Sequence, residues 1–475
     1  MPETVVVAVH RPDLQDVSPE TEQRLQIGFQ VGDVARTLHP DGVSIDTPDP
    51  REALALTRRA LAEQPDRPLF EAAFQRDGVL VRADLLLPES GGYRLREVKA
   101  STSVKDEHRA DCAIQAWVIG AALPLTGVEL AHVDTAFVYP GGGNYRGLLK
   151  PNAVDDDIAG LLPAVPQWIA DARATLDGTE PAIAIGPRCH SPYDCPFQSH
   201  CGAGQPSQPD YPLDCLPRLA GQRLQGLVER GITDVRHIPA DYPLTSRQSW
   251  VARVIRSGAA ERDPAAAKFL NGLGYPRYYL DFESMQVAVP LWAGARPYQQ
   301  LVMQWSCHVE TAPGRLAHQA FLAEGQDDPC RAFAETLLAV VGDAGPVLVY
   351  NRGFEVGRLR ELAQTYPDLA AALAALIARV VDLKPLTERY YCHPALKGSW
   401  SLKAVLPTIA PDLDYEELAI GDGGAASSAW RELYHPAISA DRSAELRAAL
   451  AEYCRRDTLA LARLAAFLAE CPTPD

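Results

Sequence analysis

The sequence predicts an α/β protein of more than one domain, and three observations predict it. The chain has 475 residues, which as a prior divide into roughly three domains. From Tyr278 onward, apolar runs and helical stretches follow in the order three strands, helix, strand, helix, strand, helix. Within Tyr278-Tyr279-Leu280-Asp281-Phe282-Glu283 the two acids stand two apart, so on a strand they point the same way. A buried pair of this kind calls for a divalent cation, and oxygen ligands suit Mg²⁺ or Mn²⁺; an edge strand with two solvated acids is the plainer reading.

Composition narrows the class. Apolar residues make up 47% and charged residues 22%, which is ordinary for a globular protein. No apolar run is long enough to span a membrane, and Met1 to Val9 lacks the basic region and longer apolar core of a secretory signal. Ten cysteines in such a chain read as thiols or metal ligands of a cytoplasmic protein, not as disulfides. A net charge of −16 argues against a general nucleic-acid coating protein, because phosphate binding needs basic surface. It does not exclude a nuclease, whose clustered carboxylates are offset by bound cations.

Ser18 and Pro19 suit the N-cap and first position of a helix, with Leu25, Phe29, Val31 and Val34 expected on one buried face. Arg51 to Glu63 is a second helix. Val79 to Leu87 and Tyr93 to Lys99 read as strands of a hairpin turning at Pro88 to Gly92. Glu97 and Lys99 share a face, and Asp84 can sit opposite them if register permits. This is a metal pair with a lysine to steady charge on phosphate, or else a surface salt bridge. Residues 129–139 are expected to form another strand, closed by Gly141-Gly142-Gly143. No Lys-Ser/Thr follows these glycines, so they make a turn and not a P-loop. Residues 155–174 look helical.

The run from Cys189 to Cys201 carries cysteines at 189, 195 and 201 with two prolines, so it is a loop presenting thiolates. Close CxxC pairs typical of zinc ribbons are absent. Residues 202–215 read as a linker, and Leu216 to Gly258 as a small helical unit, either a spacer or an element touching a phosphate backbone. Further on, Val347 to Asn351 and Val380 to Leu383 are strands, and Glu355 opens the helix after the first of them. Tyr453 and Asp457 lie four apart, on one face of a long Ala-rich helix.

These residues carry resemblances. Asp84, then Glu97-Val98-Lys99, then a helix bearing Gln115, resemble the PD-(D/E)xK core of the RecB-like exonucleases, with Glu71 matching that pattern's helix-borne acid. The three-cysteine loop is similar to the cluster loop of iron–sulfur nucleases of that kind. The resemblance implies a 4Fe–4S cluster held by Cys189, Cys195 and Cys201. No cysteine precedes Cys112, where that pattern takes its fourth thiolate: either the chain starts late, or Cys215, His190 or His200 completes the site, or the cluster is lost, with zinc as the alternative to iron. Asp281-x-Glu283, Asn351-x2-Phe354-Glu355 and Tyr453-x3-Asp457 resemble the three motifs of the DEDD exonucleases in their tyrosine variant, with Glu355 where Asp is usual. That family's acids hold two divalent metals for removal of nucleotides from a 3′ end.

The whole arrangement resembles an uncharacterised bacterial family that fuses the two modules. Further matches are Pro297-Tyr298-Gln299-Gln300, the run Lys397 to Lys403 around Trp400, and Asp422-Gly423-Gly424. The implied fold is an N-terminal restriction-endonuclease-like domain, residues 1–205, and a C-terminal ribonuclease-H-like domain, residues 271–475, joined by a helical linker, residues 206–270. The implied function is a metal-dependent nuclease acting on the ends of nucleic acid, DNA in preference to RNA. Its alternative is a non-catalytic nucleic-acid-binding or scaffold protein on relic nuclease folds.

Overall fold

The computed structural model describes residues 10–16, 19–180, 185–191, 193–203, 209–325, 327–413, 415, 418–435 and 437–470. Ser18, the expected N-cap, lies outside them. The chain divides into two compact units, Met1–Gln205 with Gln286–Gln299, and Pro206–Met285 with Gln300–Asp475. Among the described residues no helix is long and apolar enough to cross a membrane.

The first unit is a six-stranded sheet whose strands lie in chain order: β1 (Val43–Ser44), β2 (Leu69–Arg76), β3 (Val79–Glu89), β4 (Gly92–Lys99), β5 (Leu125–Val133) and β6 (Leu149–Ala153). β1 runs parallel to β2, and β4 parallel to β5; the other pairs are antiparallel. Helices α1 (Pro19–Thr37), α2 (Pro50–Glu63), α3 (Asp106–Ile119) and α4 (Val165–Leu176) surround it. Asp77 and Gly78, with φ of 45° and 73°, turn β2 tightly into β3, a two-residue link that favours Asp-Gly because both positions need positive φ. Cys112, Ala113 and Ile119 of α3 bury against Leu69, Leu86, Leu95 and Leu130 of the sheet.

α1 departs from expectation. Val31 and Val34 are buried, but Leu25 and Phe29 are 56% and 63% exposed. At about 100° per residue, positions 29 and 31 stand roughly 200° apart, so the apolar residues form two stripes and only one can face the sheet.

The second unit is built on a five-stranded sheet of β8 (Arg277–Met285), β9 (Leu301–Glu310), β10 (Leu316–Leu322), β11 (Val347–Val349) and β12 (Val380–Asp382). Their order across the sheet is β10-β9-β8-β11-β12. β8, β9 and β10 form an antiparallel meander, and β11 lies parallel to both β8 and β12. β8 is therefore the central strand, which removes the reading of Asp281 and Glu283 as solvated acids on an edge. A short pair, β7 (Glu261–Arg262) with β13 (Tyr391–Cys392), makes a separate ribbon.

The remaining helices of this unit are α5 (Gly221–Val228), α6 (Ser246–Ser257), α7 (Ala265–Asn271), α8 (Cys330–Val341), α9 (Arg352–Thr365), α10 (Ala370–Ala378), α11 (Leu383–Tyr390), α12 (Leu402–Ile409), α13 (Gly423–Leu433) and α14 (Ala440–Ala469). α14 buries Leu450, Tyr453, Cys454, Asp457, Thr458 and Leu461, a three-and-four spacing that makes one face. Residues 206–270, expected as a separate linker, belong to this unit. Their Leu216, Leu227, Val235, Val251 and Val254 share one apolar cluster with Tyr279, Leu348, Leu383 and Leu461.

Candidate metal centre

β8 is buried along nearly its whole length, and its alternation puts Asp281 and Glu283 on one face. Pairing with β9 sets Asp281 opposite Ser306 and Glu283 opposite Gln304. α14 covers this face: the Nε2 of Gln304 donates to the Leu450 carbonyl at 3.0 Å, and Ser306 meets Thr458 at 2.8 Å. That docking turns Asp457 inward. One carboxylate oxygen from each of Asp281, Glu283 and Asp457 lies within 4.8 Å of the other two, the only such set of metal-ligating atoms among the described residues.

Burial raises all three acids above the ordinary carboxylate range, and their mutual repulsion pushes Asp281 and Glu283 up further. Asp457 rises only to about 6, because Tyr415 donates a 2.5 Å hydrogen bond to it and Lys403 and Tyr453 also favour its charge. The Cys454 thiol donates to Asp281 at 3.6 Å. Lys403, on α12, sits 5.8 Å from the ring centres of both Tyr415 and Tyr453. A single lysine facing three clustered acids leaves net negative charge, which a divalent cation with oxygen ligands would neutralise.

Glu355 is 2% exposed and stands outside the set of three. Its Oε2 is buried with no hydrogen-bond partner, and burial followed by the charge of Asp281 pushes its carboxyl up to about 9. An orphaned buried carboxylate oxygen beside three others is the arrangement that fits a cation. Glu355 owes its place to a local turn. Asn351 has φ of 78°, a left-handed conformation that Asn tolerates, and α9 starts at the next residue. Asp382, at the end of β12, holds that turn: its carboxylate accepts from the backbone N–H of Asn351 at 3.1 Å and Arg352 at 3.0 Å, and caps α11 through Lys384 N–H at 3.0 Å. Replacing Asp382 by Ala orphans all three donors. The expected cost is about 2 kcal/mol, read as a lower denaturation midpoint at unchanged slope. A midpoint within error of wild type would show that water serves these donors as well.

Sequence reasoning passed over Tyr415 and the anchoring role of Asp382. Asp382 stood in the strand run, and its position just before a helix was a readable N-cap signal. Tyr415 lies in a loop between α12 and α13, where no period marks it.

In the first unit, Phe70 pairs with Leu85 and Ala72 with Ala83, so Glu71 faces Asp84 across the strands. Leu85 pairs with Arg96, and the same register sets Asp84 opposite Glu97. Glu71, Asp84 and Glu97 thus form an acidic row across β2, β3 and β4. Glu71 is a correction, because it lies on strand β2 and not on a helix; the Asp77-Gly78 turn commits its segment to the sheet. It pairs with Arg36 at 2.9 Å and Arg82 at 3.6 Å.

Lys99 bridges Glu97 and Asp111, each at 2.7 Å, and the Gln115 amide donates to Glu97 at 2.8 Å. Asp111 was missed, although it stands four residues before Gln115 on the same face of α3. Burial raises Asp84 to about 6, and burial with the charge of Asp84 raises Glu97 to about 8. Glu71, Asp84, Glu97 and Lys99 line a cavity of about 650 Å³ that Leu25, Phe29 and Tyr298 also border.

The cysteine loop keeps Cys189, Cys195 and Cys201 half-buried, with Cys195 N–H donating to the Cys189 carbonyl at 2.7 Å. Pro192 lies outside the described residues. The thiols do not form a set close enough to share a single ion, a geometry that zinc would require. Of the candidate fourth ligands, His190 is held by Asp194 and His200 by Glu180, each at 2.6 Å. Cys215 is packed in the core of the second unit, where burial raises its thiol to about 11.

Residues 278–401 match the model of a domain of unknown function, DUF2779, about a quarter of the chain. The match takes in Asp281, Glu283 and Glu355 and ends before Asp457. The chain is 26% identical over 34% of its length to the uncharacterized protein UU173 of Ureaplasma parvum, and 25% identical over 40% to the uncharacterized MG366 homolog of Mycoplasma pneumoniae. It spans about a quarter to a third of these relatives, 26% and 32% of their lengths. Among solved structures it is similar to the family B DNA polymerase of Pyrobaculum calidifontis, at 18% identity and a TM-score of 0.26. The similarity covers 41% of this chain and 24% of the polymerase, and a superposition so slight says nothing of chemistry.

Proposed function

We propose that the protein is a metal-dependent nuclease whose second unit removes nucleotides from the 3′ end of a nucleic-acid strand, DNA in preference to RNA. The observation that carries this reading is the convergence of Asp281, Glu283 and Asp457 within 4.8 Å, with Glu355 buried and unpartnered close by. The order β10-β9-β8-β11-β12, with acids on the central strand, at the opening of α9 and on the last helix, supports a ribonuclease-H-like plan of the DEDD type.

Asp281, Glu283, Glu355 and Asp457 would hold Mg²⁺ or Mn²⁺, which supplies Lewis acidity at the scissile phosphate and acidifies a water. Burial and Asp457 keep Tyr453 a neutral phenol, so it acts as a hydrogen-bond donor that orients an oxygen and not as a base. Tyr415 holds Asp457 through its hydrogen bond, and Lys403 supplies positive charge where the phosphate must approach.

In the first unit, Asp84, Glu97, Lys99 and Gln115, with Glu71 in the same row, make a RecB-like nuclease centre. A second reading leaves only the second unit active. It is favoured by Lys99, which two carboxylates already engage. Digestion of 5′- and 3′-labelled single- and double-stranded DNA and RNA with Mn²⁺ tests both. Loss of all activity in Asp281→Ala, with no loss in Lys99→Ala, supports the second. Wild type that cleaves no substrate sinks the nuclease altogether and leaves the binding-protein alternative.

Cys189, Cys195 and Cys201 would hold a 4Fe–4S cluster with a fourth ligand from elsewhere. Protein purified under nitrogen is then expected to be brown, with charge-transfer absorption that bleaches in air. A colourless preparation with neither iron nor zinc would leave plain thiols.

A further inference from the structure

The second unit holds a second cavity, of about 660 Å³, that the acidic centre does not use. Its walls come from two places. One is the stretch from Pro217 to Gln248, which ends in α6; the other is α11 and the run from Gly398 to Ser401. The two are pressed together. Gly398 has φ of 80°, and a Cβ there would overlap the Cys215 carbonyl. The Arg247 guanidinium donates across to the Glu388 carbonyl.

On a chain of net charge −16, the charge of this cavity is inverted. Arg218, Arg223, Arg247 and Lys384 line it against one acid, Glu388. Other arginines of the chain sit against acids, as Arg96 does against Glu129 and Arg236 against Asp234. Among the described residues none of these four forms an ion pair. Arg247 lies over the Trp400 ring at 4.0 Å, and burial lowers its pKa, a cost that an anion in the cavity would relieve.

The cavity is also wired to the acidic centre. The Tyr350 hydroxyl donates to the Trp400 carbonyl at 2.6 Å, one residue before the left-handed Asn351 that sets Glu355. Asp382 joins the N–H of Lys384 to those of Asn351 and Arg352.

We propose that this cavity binds phosphate groups, namely those of the nucleic-acid strand whose end lies at the carboxylates. Guanidinium groups with no carboxylate partner match phosphate geometry with the N–H groups that the Pro243 and Glu388 carbonyls leave free on Arg223 and Arg247, and a strand there crosses positive charge before it meets the acids. The proposal deepens the nuclease reading and rests on it for the identity of the strand. It also gives the 206–270 segment a role beyond filling the core.

The test uses the full chain and a fluorescein-labelled oligothymidylate in EDTA, where nothing is cleaved, followed by anisotropy at several salt concentrations. Arg218 and Arg223 are exposed, so reversing both (Arg218→Glu with Arg223→Glu) is expected to leave the circular dichroism unchanged. Affinity should fall about tenfold or more, and the salt slope should shrink by about 1.4, because each single-strand phosphate contact contributes about 0.7. The double Arg→Lys variant should keep most of the affinity. Lys384→Gln, as an independent change, should reduce affinity and slope in the same sense.

Wild-type affinity and slope in the reversed variant would overturn the proposal, as would cleavage by wild type with no measurable strand binding. Competition by inorganic pyrophosphate or a mononucleotide as tight as by the strand would overturn the strand assignment. Binding that behaves as expected in a protein without Mn²⁺-dependent cleavage would sink the nuclease reading and leave the phosphate site standing.

Discussion

Asp281→Ala or Asp457→Ala is expected to abolish metal-dependent removal of 3′ nucleotides, by about three orders of magnitude or more. Each supplies one of the three oxygens that lie within 4.8 Å. Losing one removes a ligand and a charge from the ion that carries the chemistry, and a loss of about 4 kcal/mol in transition-state stabilisation is already a thousandfold. The fold should survive, because deleting one of several mutually repelling buried acids relieves the metal-free protein.

Tyr453→Phe separates the roles. It removes a hydrogen-bond donor to Asp457 but leaves all four acids in place, so the rate should fall roughly ten- to a hundredfold while Mn²⁺ binding by calorimetry stays close to wild type. If Asp457→Ala retained wild-type exonuclease activity, the assignment of this site would be wrong.

What could be read from the sequence followed the range of the interaction that sets it. Asp281 and Glu283 share a face by a period of two, and Tyr453 and Asp457 share one by a helical turn; both are local facts. That β8 is the central strand depends on pairing with β9 and β11, which no local window contains. The hairpin holding Asp84 and Glu97 was readable from its pattern, but the row linking them to Glu71 required the register of three strands.

The failures have the same origin. Leu25 and Phe29 satisfy helical spacing as well as Val31 and Val34 do, and only the sheet beneath α1 chooses between the two stripes. Residues 202–215 carry the glycines and prolines of a linker. Yet Leu213 and Cys215 anchor in the common core, because partners far along the chain, Leu396 and Trp400 among them, complete the cluster. Tyr415 sits in a loop whose relation to Asp457 arises only when α14 docks.

Glu355→Gln is expected to stabilise the metal-free protein while lowering its response to metal. Glu355 titrates at an ordinary 4.5 when unfolded and is pushed up to about 9 by burial in the fold. Between those values the folded state holds a proton that the unfolded state has released, so stability is full below pH 4.5 and is lost as pH rises toward 9. At about 1.36 kcal/mol per pH unit, the loss by about pH 7 is on the order of 3 kcal/mol. Glutamine keeps the shape and does not titrate, so in EDTA the variant should be more stable at neutral pH, and its denaturation midpoint should fall less steeply with pH. Asp281 and Glu283 still titrate in the same sense, so some slope remains.

Mn²⁺ reverses the ranking. In wild type a cation replaces the proton on Glu355, so stabilisation by Mn²⁺ should grow with pH and release protons on binding. The amide of the Glu355→Gln variant offers only a neutral oxygen, so both effects should shrink and exonuclease activity should drop with them. Equal stability of the two proteins in EDTA, or equal stabilisation by Mn²⁺, would place Glu355 outside the metal site and leave the three acids of β8 and α14 to hold the ion alone.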